Sequence, residues 1–197
     1  MSVPAKRRSR SLLILAAILL VLCIVGAITL THILELRRYK LDYKELIAEY
    51  SAEYEIDPYL VAAVIHCESS GRADAVSKSG AIGLMQIMPE TGEWIAEKLG
   101  MKKFKSEKLT DPEVSIRMGC WYLEFLMERF SSNVVNVLAA YNAGHGNVDK
   151  WLEDGGLSED GQLKNIPFEE TDAYVEKVLY AYEKYQALYP DAFQAGD

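Results

Sequence analysis

Leu60, Val64 and Glu68 are spaced i, i+4, i+8, which sets one carboxylate on a helical face whose other members are apolar and point inward. Burial disfavours the charged form of a carboxyl. Glu68 also stands near the C-terminal end of the helix that this stretch predicts, where the negative pole of the macrodipole opposes an anion, and the chain around it is acidic. All three effects push its pKa upward, toward a group that still holds its proton near neutral pH. A carboxylic acid kept protonated in a cleft can protonate a leaving oxygen, which cleavage of a glycosidic bond requires as an oxocarbenium-like state develops. The same position also suits a solvated helix-end glutamate, the ordinary fate of that residue. The spacing alone leaves both readings open.

The neighbours of Glu68 have comparable double readings. Gly80, Gly83, Gly144 and Gly146 suit turns, Met85 and Met88 suit core filling, and Asn142 suits a helix end. Gln86 carries both a donor and an acceptor, and Tyr141 has a ring face with a hydroxyl at its edge. His66 and His145 form no metal-ligand spacing with each other or with the cysteines, so no metal or cofactor is expected. Cys67 and Cys120 each lie in an apolar helical pattern, where a free buried thiol is the default; they could pair if the domain lies outside the cell. Trp94, Trp121 and Trp151 read as core or cleft wall.

The elements that must hold these residues are mostly helical. "DPYLVAAVIHCESSG" has Asp57 as N-cap, Pro58 at the first helical position and Gly71 as a stop, which predicts a short buried helix. Ala75 to Met88 reads as turns or short extended pieces. Pro89 then opens a helix that Gly100 can end, and Asp111-Pro112 repeats the Asp-Pro start for a helix apolar around much of its circumference. "NVVNVLAAY" is one more short helix, broken by "NAGHG" and followed by a glycine-bearing loop. Tyr174, Val178, Tyr182 and Tyr185 recur at helical spacing in a last helix that ends by Pro190. The expectation is a mainly α domain with little strand.

A different element precedes it. Ser11 to Leu30 carries no charge and, as a helix, spans about 30 Å, the thickness of a hydrocarbon core. It is too long for the apolar region of an ordinary signal peptide, so a retained anchor over residues 11–34 is expected after a basic tail, 1–10. Lys6, Arg7, Arg8 and Arg10 before it nearly balance Arg37, Arg38, Lys40 and Lys44 after it, a small bias toward an inside N-terminus. Cys23 lies within it and reads as a lipid-facing thiol. Residues 35–56 read as an amphipathic helix leading from the membrane into the domain, with Leu46, Tyr50 and Tyr54 on one face. Residues 1–40 hold seven Lys/Arg and one Asp/Glu, a net of +6, so the rest of this −8 chain carries −14. Such a balance excludes the basic patch that a nucleic-acid partner needs.

Starting from Glu68-Ser69 and running through "AVSKSGAIGLMQIMPETG" (75–92), "AAYNAG" (139–144) and "IPFEETDAYVEKV" (166–178), the chain resembles the family-1 lytic transglycosylases, the soluble-lytic-transglycosylase (SLT) domain with a goose-type lysozyme-like fold. The resemblance covers about residues 42–189. It implies an α+β lysozyme-like fold and an enzyme that cuts the β-1,4 bond between N-acetylmuramic acid and N-acetylglucosamine in the glycan strands of peptidoglycan without adding water. It further implies that Glu68 gives and then takes the proton, that Ser69, Gln86, Met88, Tyr141 and Asn142 surround the sugar, that Tyr174 bonds the catalytic carboxylate, and that Glu170 stands at the cleft. With the apolar helix, it implies a single-pass protein of the cell membrane whose domain faces the wall. Gly71 and Ala73 depart from the family's aromatic and proline, and Asp172 from its arginine. A hydrolytic muramidase needs a second carboxylate; none lies in "SKSGAIGLMQIM", and Asp74 and Glu90 are the acidic residues on either side. A wall-binding module without catalysis is the remaining alternative.

Overall fold

A computed structural model describes residues 5–194 of the chain; residues 1–4 of the expected basic tail lie outside them. Two compact units divide at Lys40–Leu41. The first holds helix α1, Ala5–Arg38. Within it, Ile14–Arg38 is long and apolar enough to cross a membrane by length and composition. The large apolar side chains of Leu12 and from Ile14 to Leu34 are exposed, as a helix in lipid requires. Its two threonines satisfy their hydroxyls on their own helix, Thr29 Oγ1 donating to the Val25 carbonyl (2.9 Å) and Thr31 Oγ1 to that of Ile28 (2.8 Å).

The second unit is helical. Its elements are α2 (Lys44–Glu53), α3 (Pro58–Ser69), α4 (Pro89–Lys98), a 3-10 turn (Ser106–Thr110), α5 (Pro112–Arg129), α6 (Val134–Ala143), α7 (His145–Glu153), a hairpin of β1 (Ser158–Glu159) and β2 (Gln162–Leu163), and α8 (Glu169–Leu188). The helix expected through residues 35–56 is divided: α1 ends at Arg38 and α2 begins at Lys44, after Tyr43 in a left-handed conformation (φ 59°). α7 and the hairpin occupy what the glycines suggested was loop.

α3 lies at the centre because its sequence is apolar on nearly every side. Leu60, Val61, Ala62, Ala63, Val64 and Ile65 are all buried, with α2 on one side and α8 along its length. Asp57 caps it as the sequence predicts, accepting from the Tyr59 N–H (2.8 Å), and its second oxygen accepts from the Tyr182 hydroxyl of α8 (2.6 Å). That bond takes Tyr182 out of the core stripe, which Tyr174, Val178 and Tyr185 keep. Asp111 caps α5 in the same way.

Between α3 and α4 the chain folds into a tight double turn. Ile82 bridges both Val76 and Ile87, and Gly83 presses so close to the Leu109 carbonyl that a Cβ there would collide with it, at a φ of +82°. Only glycine meets both conditions. On the far side, Asn136 of α6 donates to the Gly161 carbonyl (2.8 Å) and accepts from the Leu163 N–H (3.0 Å), fastening the hairpin to the helix.

Candidate active site

Glu68 occupies the next-to-last position of α3 and is half-buried. Burial lifts its carboxyl from 4.5 to about 7, against the opposing pull of the Tyr174 hydroxyl and the Lys177 ammonium, both on α8. Tyr174 is itself buried, and its hydroxyl meets no acceptor at full hydrogen-bonding geometry. It still lies close enough to act on the carboxylate, so the pair is a loose contact rather than a formed bond. From α6, Tyr141 also feels the Glu68 charge; burial first, and that charge second, hold its phenol well above the ordinary value. Three groups from three helices therefore converge: a carboxyl poised near neutrality and two phenols that keep their protons.

Tyr141 also lines a pocket of about 200 Å3, together with Gln86, Met88, Thr91, Tyr122 and Asn142. Its hydroxyl donates to the Met85 carbonyl (2.8 Å), which pins the double turn against α6, and its ring lies 5.5 Å from that of Tyr122. Gln86 adopts a left-handed backbone (φ 47°). Its side-chain amide donates to the carbonyls of Ala75 (3.2 Å) and Gly83 (2.9 Å), so both N–H groups are used in closing the turn and the amide oxygen is left to accept. Met88 is 42% exposed at the mouth. Asn142 accepts at Oδ1 from the Thr171 hydroxyl (2.7 Å), leaving its N–H groups outward.

Two of the residues named from the sequence stand apart from this group. The Ser69 hydroxyl is turned into its own helix, donating to the Ile65 carbonyl (3.2 Å) in a residue only 2% exposed. Glu170 is solvent-exposed in the first turn of α8. Asp74 and Glu90 are exposed as well. Cys67 and Cys120 are both free thiols, and burial pushes the Cys67 pKa up to about 11. Among the described residues no three His, Cys, Asp or Glu side chains gather as a metal-holding group.

Sequence reading missed Tyr122, Thr91, Thr171 and Lys177. Tyr122 was hidden because α5 is apolar around much of its circumference, so no position stood out as cleft wall. Lys177 carried a usable signal: it lies three residues after Tyr174, on the same face of the helix.

Compared with known proteins, residues 45–163 match the family described as the transglycosylase SLT domain. The chain is 36% identical over 151 residues to the soluble lytic murein transglycosylase of Escherichia coli K12, an alignment covering 75% of this chain and 23% of that protein. It is 43% identical over 77 residues to the endo-type membrane-bound lytic murein transglycosylase A of Klebsiella pneumoniae, covering 38% of each. Among solved structures, the 70 kDa soluble lytic transglycosylase of Escherichia coli superposes with a TM-score of 0.74 at 32% identity, over 82% of this chain and 27% of that one. The chain thus spans about a quarter of the length of the soluble relatives it matches. On the family match and the shared fold, the chain belongs to the transglycosylase SLT domain family.

Proposed function

We propose that this chain is a peptidoglycan lytic transglycosylase with Glu68 as its acid and then its base. The observation that carries the reading is a half-buried carboxyl with a pKa of about 7 whose charge acts on Tyr141, a wall of the pocket. Protonated Glu68 gives its proton to the oxygen linking N-acetylmuramic acid to N-acetylglucosamine as the C1–O bond breaks, its electron pair leaving with the oxygen. The carboxylate so formed takes the proton of the muramyl C6 hydroxyl, whose oxygen bonds to C1 and closes a 1,6-anhydro ring. No water enters, and Glu68 ends protonated, as it began. A pKa near ambient pH suits a group that must perform both transfers. The Tyr141 ring face, the Gln86 oxygen and the Asn142 N–H groups suit a sugar and its acetamido group.

The apolar length of α1 and the names of the membrane-bound relatives support membrane anchoring, and the small bias of the flanking charges supports a single pass with the N-terminus inside and the domain toward the wall. The substrate is then the glycan strand within reach of the membrane.

The test is digestion of purified peptidoglycan by the full chain in detergent micelles, beside its Glu68→Gln variant, with released fragments weighed by mass spectrometry. Fragments ending in 1,6-anhydromuramyl groups, absent with the variant, are expected. Reducing-end fragments one water heavier would replace this reading with a hydrolytic muramidase. No release from folded protein would leave a wall-binding module.

A further inference from the structure

α3 ends with its last carbonyls unpaired within the helix, as every helix does. The Ser69 carbonyl accepts from Arg72 Nε (3.1 Å), a local cap. The Cys67 carbonyl instead accepts from Lys177 Nζ (2.9 Å), a residue 110 positions away on α8, while the Cys67 thiol approaches the Lys177 carbonyl (3.6 Å). The two helices are thus latched to each other by reciprocal contacts at the residue directly before Glu68. The latch carries a full positive charge to the negative pole of α3, beside the one carboxylate buried there.

Resting on the proposed lytic reaction, we infer that Lys177 is a positioning residue for Glu68: its ammonium fixes the last turn of α3 against α8 and supplies the countercharge that allows one carboxyl both to release and to retrieve a proton. Facing Glu68 are Tyr174 and Lys177 from α8, Tyr141 from α6, and from α3 itself the neighbouring Cys67 thiol. Of these only Lys177 is cationic; both phenols and the thiol stay neutral, their pKa values raised chiefly by burial. Burial and the helix dipole both favour the protonated carboxyl. Without an opposing charge Glu68 would remain a competent acid, but the carboxylate it leaves behind would take back a proton from any nearby source instead of waiting for the C6 hydroxyl. Lys177 also faces solvent, so its effect is moderate and its loss need not unfold the domain.

The experiment uses the full chain in micelles with glutamate labelled with 13C at the carboxyl, the Glu68 signal being assigned by its absence in Glu68→Gln. Lys177→Met keeps the aliphatic stem and removes the charge and the donor; Lys177→Arg restores both. The Glu68 titration and the basic limb of the lytic pH profile are expected to move upward together by roughly half a pH unit in Lys177→Met and to return in Lys177→Arg. A titration that stays in place, whether or not activity falls, would overturn the inference and reduce Lys177 to a structural cap. If the titration moves but the unaltered chain releases no anhydromuramyl products, the lytic reading fails while the pairing of Lys177 with Glu68 stands.

Discussion

Glu68 and Tyr174 make opposite demands on stability and function. The folded Glu68 carboxyl has a pKa of about 7 against an ordinary 4.5. Between those values the folded state holds a proton that the unfolded state has lost, so this group's contribution to stability declines as pH rises from 4.5 and levels off above 7. The full difference is about 3 kcal/mol. Glu68→Gln, which cannot ionise, should therefore gain stability relative to the unaltered chain at pH 8 and gain almost none at pH 4. Urea unfolding followed by tryptophan fluorescence checks this, since all three tryptophans lie in the second unit; equal differences at the two pH values would contradict the raised pKa. Tyr174→Phe removes a buried hydroxyl that lacks a well-formed partner. Its stability should stay within about 1 kcal/mol of the parent or rise, while release of muropeptides falls about tenfold or more because the contact that tempers Glu68 is gone. A large loss of stability would mean that the hydroxyl has a structural partner after all.

At the scale of elements, the site depends on the double turn before α4 being held against α5 and α6. Gly83 has no room for a Cβ and a φ of +82°, whereas Gly80, on the same turn, has a φ of +92° with open space around it. Gly83→Ala should cost about 2–4 kcal/mol, strain and collision together, and Gly80→Ala only about 1–2 kcal/mol from strain. Similar losses from the two, measured by urea unfolding, would show that the turn can shift away from Leu109. The helices with Asp-Pro starts were legible because cap, proline and apolar stripe agree. α7 was not, because a single residue, Gly144, separates it from α6, and the glycine density of "NAGHG" outweighs the short apolar pair Val148 and Trp151, both buried. The hairpin had one local signal, Asp160-Gly161 with both φ values positive (52° and 75°), but its two-residue strands are too short to alternate visibly. The i, i+4, i+8 spacing placed the carboxyl on the apolar face of its helix but left open whether it is buried there. The convergence of Tyr141, Tyr174 and Lys177 on it could not be read from spacing, since that depends on how α6 and α8 pack, and only the family motifs pointed to the two tyrosines.

The whole molecule separates its charges sharply: +6 over residues 1–40 and −14 over the remainder. On the proposed reading the substrate is a wall polymer bearing peptide carboxylates, which offers an acidic domain no general attraction, so contact would come from the cleft and from the anchor proposed for α1. A protein that held its polymer by neutralising several charges would lose affinity by orders of magnitude between 50 and 200 mM salt, as polyelectrolyte binders do. Here the release of muropeptides should change by less than about twofold over that range, or rise as mutual repulsion is screened. The full chain in neutral micelles and the 41–197 fragment, assayed side by side, separate the two contributions. A flat response in the fragment and a steep fall in the full chain would assign wall contact to the basic residues around α1, and a steep fall in both would mean that cations on the acidic unit, Lys177 among them, grip the polymer directly.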